Sequence, residues 1–572
     1  MSEYYYSKPL DRYDAIVIGT GISGGWAAKE LCENGLKTLV LERGRMVKHI
    51  EDYPTMHKDP WDFPHRGSAT REDRKRQEKQ ARTGYTTGEA SKHWFVDDIK
   101  HPYNETKRFD WIRGYHVGGK SLMWARMSFR WSEMDFEANK KDGHGVDWPI
   151  RYKDLEPWYE KVEKYIGVTG KKENLPQLPD SIFEPPFELN CVEQEFRDGV
   201  AASFTDRIVI NTRAAHINST KLFEGRSQCQ YRNRCIRGCP FGGYFSSNSS
   251  TLPAAERTGN MTLRPNSIVH EIIYDDTTKK ATGVRVIDAE TKEKMEFNAD
   301  IIFCCAAAVA TTSILMQSKS ERFPNGLGND SGELGHNLMD HHFKVGASGS
   351  WEGHEDDYFK GRKPAGFYIP RFQNIDENSP KKDFVRGYSM QGGAGRGGWR
   401  RGLGGELNYG EDLVEDLTKP GQWGLGVNCF GECLPYHENK MELDYDNLDE
   451  WGLPTVTFDC EYKENENKMR EDALKEAVAT LEKAGAKNVK GYLNPCYPGN
   501  GIHEMGTARM GHDPKTSIVN KHNEIHTVPN VYVTDGACMA SSACQNPSLT
   551  YMAMTARAAN YAAKKLLDSR KA

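Results

Sequence analysis

Two stretches near the C-terminus bring reactive side chains together at short spacing: His503-Glu-Met-Gly-Thr-Ala-Arg-Met-Gly511 and Gln545-Asn546-Pro547-Ser-Leu-Thr550. An imidazole with an ordinary pKa of ~6.5 is mostly unprotonated at pH 7, so His503 can take the proton of an alcohol as a hydride leaves the same carbon. A carboxamide such as Asn546 can hold that hydroxyl oxygen. A lone histidine is more often a satisfied core residue, and residue types alone leave both readings open.

A second cluster reads Cys229-Gln-Tyr-Arg-Asn-Arg-Cys235-Ile-Arg-Gly-Cys239-Pro240. Three cysteines within eleven residues, interleaved with Arg232, Arg234 and Arg237, do not fit a helix or strand core. Thiolates are soft ligands and nearby arginines favour the deprotonated state, so the loop suits an iron–sulfur centre. A zinc loop lacking a fourth ligand and a metal-free structural loop are the alternatives. The odd total of 13 cysteines disfavours a complete disulfide framework. Most of the others read as small buried hydrophobes, such as Cys304-Cys305 after the apolar Ile301-Ile302-Phe303.

These groups need a cofactor and a scaffold, and both are written near the N-terminus. Asp14-Ala-Ile-Val-Ile18 is a short apolar run of the kind buried on both faces. Gly19, Gly21 and Gly24 follow at G-x-G-x-x-G spacing, with Ile22 and Ser23 between the last two, and small and long-chain residues continue at helical spacing. The first glycine permits a tight turn, the second lets backbone approach a pyrophosphate, and the third lets helix pack on strand. A second strand, Thr38 to Leu41, ends in Glu42, placed to bind both ribose hydroxyls of an adenosine. The run Leu41-Glu42-Arg43-Gly44 resembles the adenosine clamp of FAD enzymes more than that of NAD dehydrogenases.

The remaining composition sets limits. A chain of 572 residues implies two or three domains. A net charge of −5 argues against nucleic acid as a partner, and the acid-interrupted basic cluster Arg71 to Arg76 reads as a solvated face. No run of about 18 apolar residues is present, so no membrane span is expected. The first residues lack a basic stretch followed by an apolar one, which predicts either a cytoplasmic protein or one exported folded with a partner that owns the signal. Residues Tyr53 to His101 read as an extended surface excursion.

With Val117-Gly118-Gly119-Lys120-Ser121-Leu-Met123-Trp124 the resemblance becomes specific. The chain resembles the glucose-methanol-choline (GMC) oxidoreductase family, especially its bacterial sugar dehydrogenases and pyranose oxidases. His503 to Gly511 and Asn546 to Thr550 are similar to the family's C-terminal signature in order and spacing, which implies that His503 is the base and Asn546 its partner. The resemblance implies FAD, with Gly118, Gly119 and Ser121 against it, Val269 holding the adenine, Ala306 beside the dinucleotide, and Asp535-Gly536 at its pyrophosphate and ribityl chain. Pyranose oxidases carry a flavin-linked histidine just before the tryptophan; Met123 stands there, so FAD is expected to be non-covalent. Related sugar dehydrogenases hold a [3Fe-4S] cluster in the segment equivalent to Cys229, Cys235 and Cys239, although some have an additional cysteine where this chain has Gln228.

The resemblance implies an α/β protein, α+β overall, with a Rossmann-like FAD-binding domain and a second substrate domain on an antiparallel sheet. The FAD domain would comprise 1–130, 221–335 and 501–572, and the substrate domain 131–220 and 336–500. The implied activity is a dehydrogenase oxidising a secondary hydroxyl of a sugar or glycoside, at C3 by preference, with electrons leaving through the cluster. A small subunit bearing an export signal and a cytochrome c or other acceptor would be partners, giving a periplasmic location. Rival readings are oxidation at another carbon, an oxygen-using oxidase, and a non-catalytic dinucleotide-binding protein. His341 and His342, in Gly335-His-Asn-Leu-Met-Asp-His-His342, are read as structural. A helix is expected from Trp158 to Ile166 after a cap at Asp154, a mobile loop from Gly392 to Gly405, and strands at 440–444 and 455–458 in the floor of the second domain. Gln391 and Gln422 are candidate substrate contacts.

Overall fold

The computed structural model describes residues 5–6, 12–221, 223–357, 366–398 and 410–571. The strand Arg12–Ile18 is apolar on both faces because both are covered: Ala15, Ile16 and Val17 are fully buried. It runs parallel to Thr38–Leu41 on one side and Lys294–Cys304 on the other, with Ile16 opposite Leu39 and Ile302. Met261–Arg264 and Val528–Val533 extend this parallel layer. Ser267–Asp275 and Lys280–Asp288 continue it as antiparallel strands, within a nine-stranded sheet. Helix Ile22–Glu33 packs against the C-terminal helix Ser548–Ser569 through small residues, among them Ala27, Ala28, Ala559 and Ala562.

A second, six-stranded antiparallel sheet has the order Lys487–Leu493, His342–Trp351, Trp423–Gly431, Tyr388–Arg396, Phe367–Ile369, Ile210–Asn211. Helix Glu464–Lys483 covers it, burying Met469, Ala473, Ala477 and Leu481 against Val345, Ala347 and Val427. The fold is therefore α/β with a separate antiparallel sheet, as the residue pattern and the resemblance implied.

Several local expectations change. Gly392 to Arg396 is not mobile loop but part of the strand Tyr388–Arg396 in the middle of the second sheet. A side chain at Gly392 would meet the Gly426 carbonyl and the Phe367 ring, each at 2.5 Å, so glycine there reflects close packing. Positions 399–405 of that stretch lie outside the described residues. The helix expected from Trp158 begins at Tyr152, with Asp154 in its first turn accepting from the Arg151 amide, and it runs through Pro157. An interior proline costs about 3 kcal/mol. Leu155, Val162 and Ile166 are fully buried on one face and offset that at ~1.5–3 kcal/mol each. The strands Lys440–Leu448 and Pro454–Asp459 form a hairpin, but with Asn104–Glu105 they make a small separate sheet rather than the floor of the larger one. The segment 53–101 holds short helices, including Arg71–Arg76, capped by Thr70 and without a buried side chain.

Candidate active site

The three turn glycines do different work. Gly19 has φ +99, and a side chain there would lie 2.5 Å from the Cys305 carbonyl oxygen. One at Gly24 would lie 1.9 Å from the Gly19 carbonyl, so helix sits directly on turn. Gly21 meets nothing within 4 Å. Its missing side chain leaves open space in a cavity of about 630 Å³. That cavity also takes in Gly19, Ile22, Ser23, Glu42, Arg43, Gly119, Ser121, Val269, Ala306, His503, Asp535, Gly536 and Asn546. Residues from the head, middle and tail of the chain thus share one wall.

Two expected contacts stand elsewhere. Gly24 does not line the cavity, for the packing reason just given. Gly118, at φ +91, turns away: a side chain there would overlap the Asn248 amide at 1.6 Å, and its N–H donates to Thr20 Oγ1. Ser121 does line the cavity, yet its hydroxyl is spent on backbone, donating to Gly118 O and accepting from Ser247 N.

Glu42 is buried and accepts from the Thr20 and Gly44 amides at 3.1 and 3.0 Å and from the Thr20 hydroxyl. Burial pushes its carboxyl above the usual range, against these donors. A carboxylate has about four acceptor sites, so one remains for a ribose hydroxyl. Asp535 is fixed similarly: Oδ2 accepts from Thr311, Oδ1 from the Ala537 amide, and burial raises its pKa to about 6. The Arg43 guanidinium lies between the rings of Tyr115 and Trp451, at 4.8 and 5.2 Å from their centroids, and pairs with Asp449 at 3.3 Å. The hairpin turn carrying Asp449 and Leu453 to Val456 closes this part of the wall, and no sequence signal marked it. The open space at Gly21, the spare acceptor of Glu42 and the cavity's size fit an adenine dinucleotide.

The candidate base His503 is positioned by a pairing of two distant segments. Met339 and Met505 exchange backbone hydrogen bonds at 2.9 and 3.0 Å in antiparallel register. That register places residue 341 opposite 503, and His341 Nδ1 lies 2.8 Å from His503 Nδ1. His341 Nε2 is 2.8 Å from the Ala543 carbonyl oxygen and 3.1 Å from that of Ser542. Carbonyls only accept, so Nε2 of His341 carries its proton and donates. Burial holds His341 below the ordinary range and hence neutral, so its Nδ1 accepts from His503 Nδ1–H. His503 Nε2 is left without a proton. Burial chiefly, then His341 and the Lys120 ammonium, hold His503 well below its ordinary pKa.

His341 is therefore not merely structural, whereas His342 is a fully buried core residue beside Met469. Asp340 completes the support by accepting from the Gly501 and His503 amides at 2.8 and 3.0 Å; burial raises its pKa to about 7. Gln391 Nε2 donates to Asn546 Oδ1 at 2.9 Å, so the Asn546 amino group points away from it as a donor. Gln391 lines the same cavity; Gln422 does not. Lys120, paired to Glu504 at 3.3 Å, and Tyr551 also belong to the wall.

Cys229, Cys235 and Cys239 line a second, small cavity with His216 and Tyr244, where Cys235 Sγ lies 3.7 Å from His216 Nε2. Burial, then the neighbouring Cys235 and Cys239, push the Cys229 thiol up to about 11. Three thiols around one small space are a donor set for a soft cation. The space between them is about 20 Å³, room for one water, so a cluster enters only if the loop spreads. Trp94 Nε1 donates to the Ile236 carbonyl in this loop. Trp94 belongs to an apolar layer with Phe95 and Ile112, edged by Met123 and Ile502, and those four line the large cavity.

Residues 201–343 and 435–555 match the family described as GMC oxidoreductase, and these spans contain Val269, Ala306, His341, His503, Asp535 and Asn546. The chain belongs to the GMC oxidoreductase family. It is 28% identical to 2-methyl-1,2-propanediol dehydrogenase of Mycolicibacterium austroafricanum, over 98% of this chain and 96% of that protein. It is 26% identical to the fructose dehydrogenase large subunit of Gluconobacter japonicus, over 96% and 97% of the two chains. A formate oxidase from Aspergillus oryzae RIB40, solved in a study of FAD modification, superposes with a TM-score of 0.62 at 14% identity, covering 98% of this chain and all of that one. The chain is therefore an oxidoreductase, and the open turn at Gly21, Glu42 and the cavity's size fit the adenine dinucleotide of FAD. Among the described residues no helix is long and apolar enough to cross a membrane.

Proposed function

We propose that this GMC oxidoreductase is a dehydrogenase of sugars or glycosides that oxidises a secondary hydroxyl, at C3, to a 3-keto product. The carrying observation is the chain from the Ala543 carbonyl through His341 to His503, with Asn546 and Gln391 in the same cavity. In this reading His503 Nε2 takes the hydroxyl proton and Asn546, oriented by Gln391, donates to the same oxygen. FAD supplies the hydride acceptor when bound. Sugar as substrate draws support from the fructose dehydrogenase relative; the choice of C3 rests on the resemblance alone.

The loop of Cys229, Cys235 and Cys239 would hold an iron–sulfur centre, [3Fe-4S] by ligand count, which supplies one-electron transfer. Its donor set and its place one aromatic layer from the cavity support this. An external acceptor such as a cytochrome c, and a small subunit carrying an export signal to the periplasm, complete the proposal.

The test is product identification by NMR from glucose, lactose and an alkyl glucoside with an artificial acceptor. A ketone at C3 is expected; a lactone or a ketone at another carbon overturns the choice. Iron content and peroxide formation, measured alongside, separate a dehydrogenase with a cluster from an oxygen-using oxidase.

A further inference from the structure

Far along the strand that carries Gln391, a second group of ligand-type side chains converges. Cys191 and Glu195 stand four residues apart at the start of helix Cys191–Ser203, hence on one face. Opposite them, the segment after strand His342–Trp351 presents His354 and Asp357. One ligand atom from each of Cys191, His354 and Asp357 lies within 4.8 Å of the other two. His354 Nδ1 is 2.7 Å from Asp357 Oδ2, and its Nε2 is 3.0 Å from Glu195 Oε1.

The backbone presenting these groups is held from outside. Arg396 donates to the carbonyls of His354, Glu355 and Asp357, and Trp423 Nε1 to that of His354 at 3.1 Å. Trp351 Nε1 donates to the other Glu195 oxygen at 2.7 Å, which fixes the carboxylate facing the imidazole. His354 itself is kept at φ +59, an uncommon conformation for a histidine. The side chains are thus positioned by residues that are not themselves ligands.

We propose that Cys191, His354 and Asp357 bind one Zn²⁺, with Glu195 orienting the imidazole from its far nitrogen. A thiolate, an imidazole and a carboxylate on one centre suit zinc rather than calcium or magnesium, which take oxygen ligands. The second carboxylate on the distal imidazole nitrogen gives the usual support of a metal-bound histidine. Bond lengths of ~2.0–2.2 Å in a tetrahedral site set N···O at about 3.3 Å, so the 2.7 Å His354–Asp357 contact opens by about half an ångström as the metal enters. Two protons leave, one from the thiol and one from between His354 and Asp357. The metal would tie the helix to the end of the second sheet, away from the flavin cavity, with water in fourth position.

The test is uptake of Zn²⁺ by the flavin-loaded protein against a chromophoric chelator, after metal removal and dialysis. Wild type is expected to bind one equivalent more than Cys191→Ser and than His354→Ala; the Cys229 to Cys239 loop is common to all three and cancels. Glu195→Gln should weaken that equivalent by about 10–100-fold. Co²⁺ in place of zinc should give a thiolate charge-transfer band that Cys191→Ser lacks. If Cys191→Ser does not fold, Asp357→Asn at an exposed position gives the same comparison. Equal uptake by wild type and variants, or a difference seen only at millimolar metal, overturns the proposal.

Discussion

His341 donates to the Ala543 carbonyl with one ring nitrogen and accepts from His503 with the other, at 2.8 Å in each case, so its protonation pattern dictates that of its neighbour. His341→Phe should therefore leave His503 in place but free to take the other tautomer. We expect kcat to fall by about 10²-fold, with KM and FAD content little changed, and His503→Ala to fall at least as far. Steady-state kinetics and the flavin-to-protein ratio check both. Full activity in either variant removes the assigned base.

The depressed pKa of His503 sets the acid limb of the pH profile. A base acts when unprotonated, so activity is full above its folded pKa and is lost as pH falls through it. That pKa lies well below the ordinary value, so kcat/KM should hold flat to below about pH 6.5. The Lys120 ammonium disfavours the imidazolium. Lys120→Met should raise the pKa and shift the limb to higher pH, and a shift the other way contradicts the assignment.

Gln391 orients the Asn546 amide through one hydrogen bond. Gln391→Leu removes that constraint and should lower kcat/KM by roughly 2–10-fold, the worth of ~0.5–1.5 kcal/mol. Asn546→Ala should cost more. Double-variant kinetics then report non-additivity, because Gln391 acts through Asn546.

The turn glycines should separate cofactor loss from folding loss. Gly21→Val fills open space and is expected to give folded protein without bound flavin, read by absorbance and circular dichroism. Gly24→Ala drives a methyl into the Gly19 carbonyl and should destabilise the fold by at least about 1–3 kcal/mol, read by thermal unfolding.

Much of this arrangement is legible in the chain because it is local. Asp14 to Glu42 is one continuous strand, turn, helix and strand, and its periodicity and glycine spacing carry the fold and the cofactor class. Likewise His503 and Asn546 stand in short signatures. His341 reads as structural in the sequence because its role depends on the Met339–Met505 pairing, which sets it against His503, 162 residues away, and no local pattern encodes that contact. The glycines at 392, 393 and 395 read as loop because composition cannot tell flexibility from a strand, and of the three it is Gly392 whose neighbours leave a side chain no room. Pro157 misplaced a helix start for a related reason: burial of one face outweighs a local penalty.

The hairpin turn from Asp449 to Leu453 is anchored on both sides, by Arg43 held against Tyr115 and Trp451 and by the Trp451 indole donating to the Ala289 carbonyl at 3.0 Å. A dinucleotide bound along this wall should leave more slowly for the contacts that hold the turn in place. The enzyme should keep one flavin for its working life through dilution and dialysis, and its yield in a cell should follow the flavin available while the chain folds.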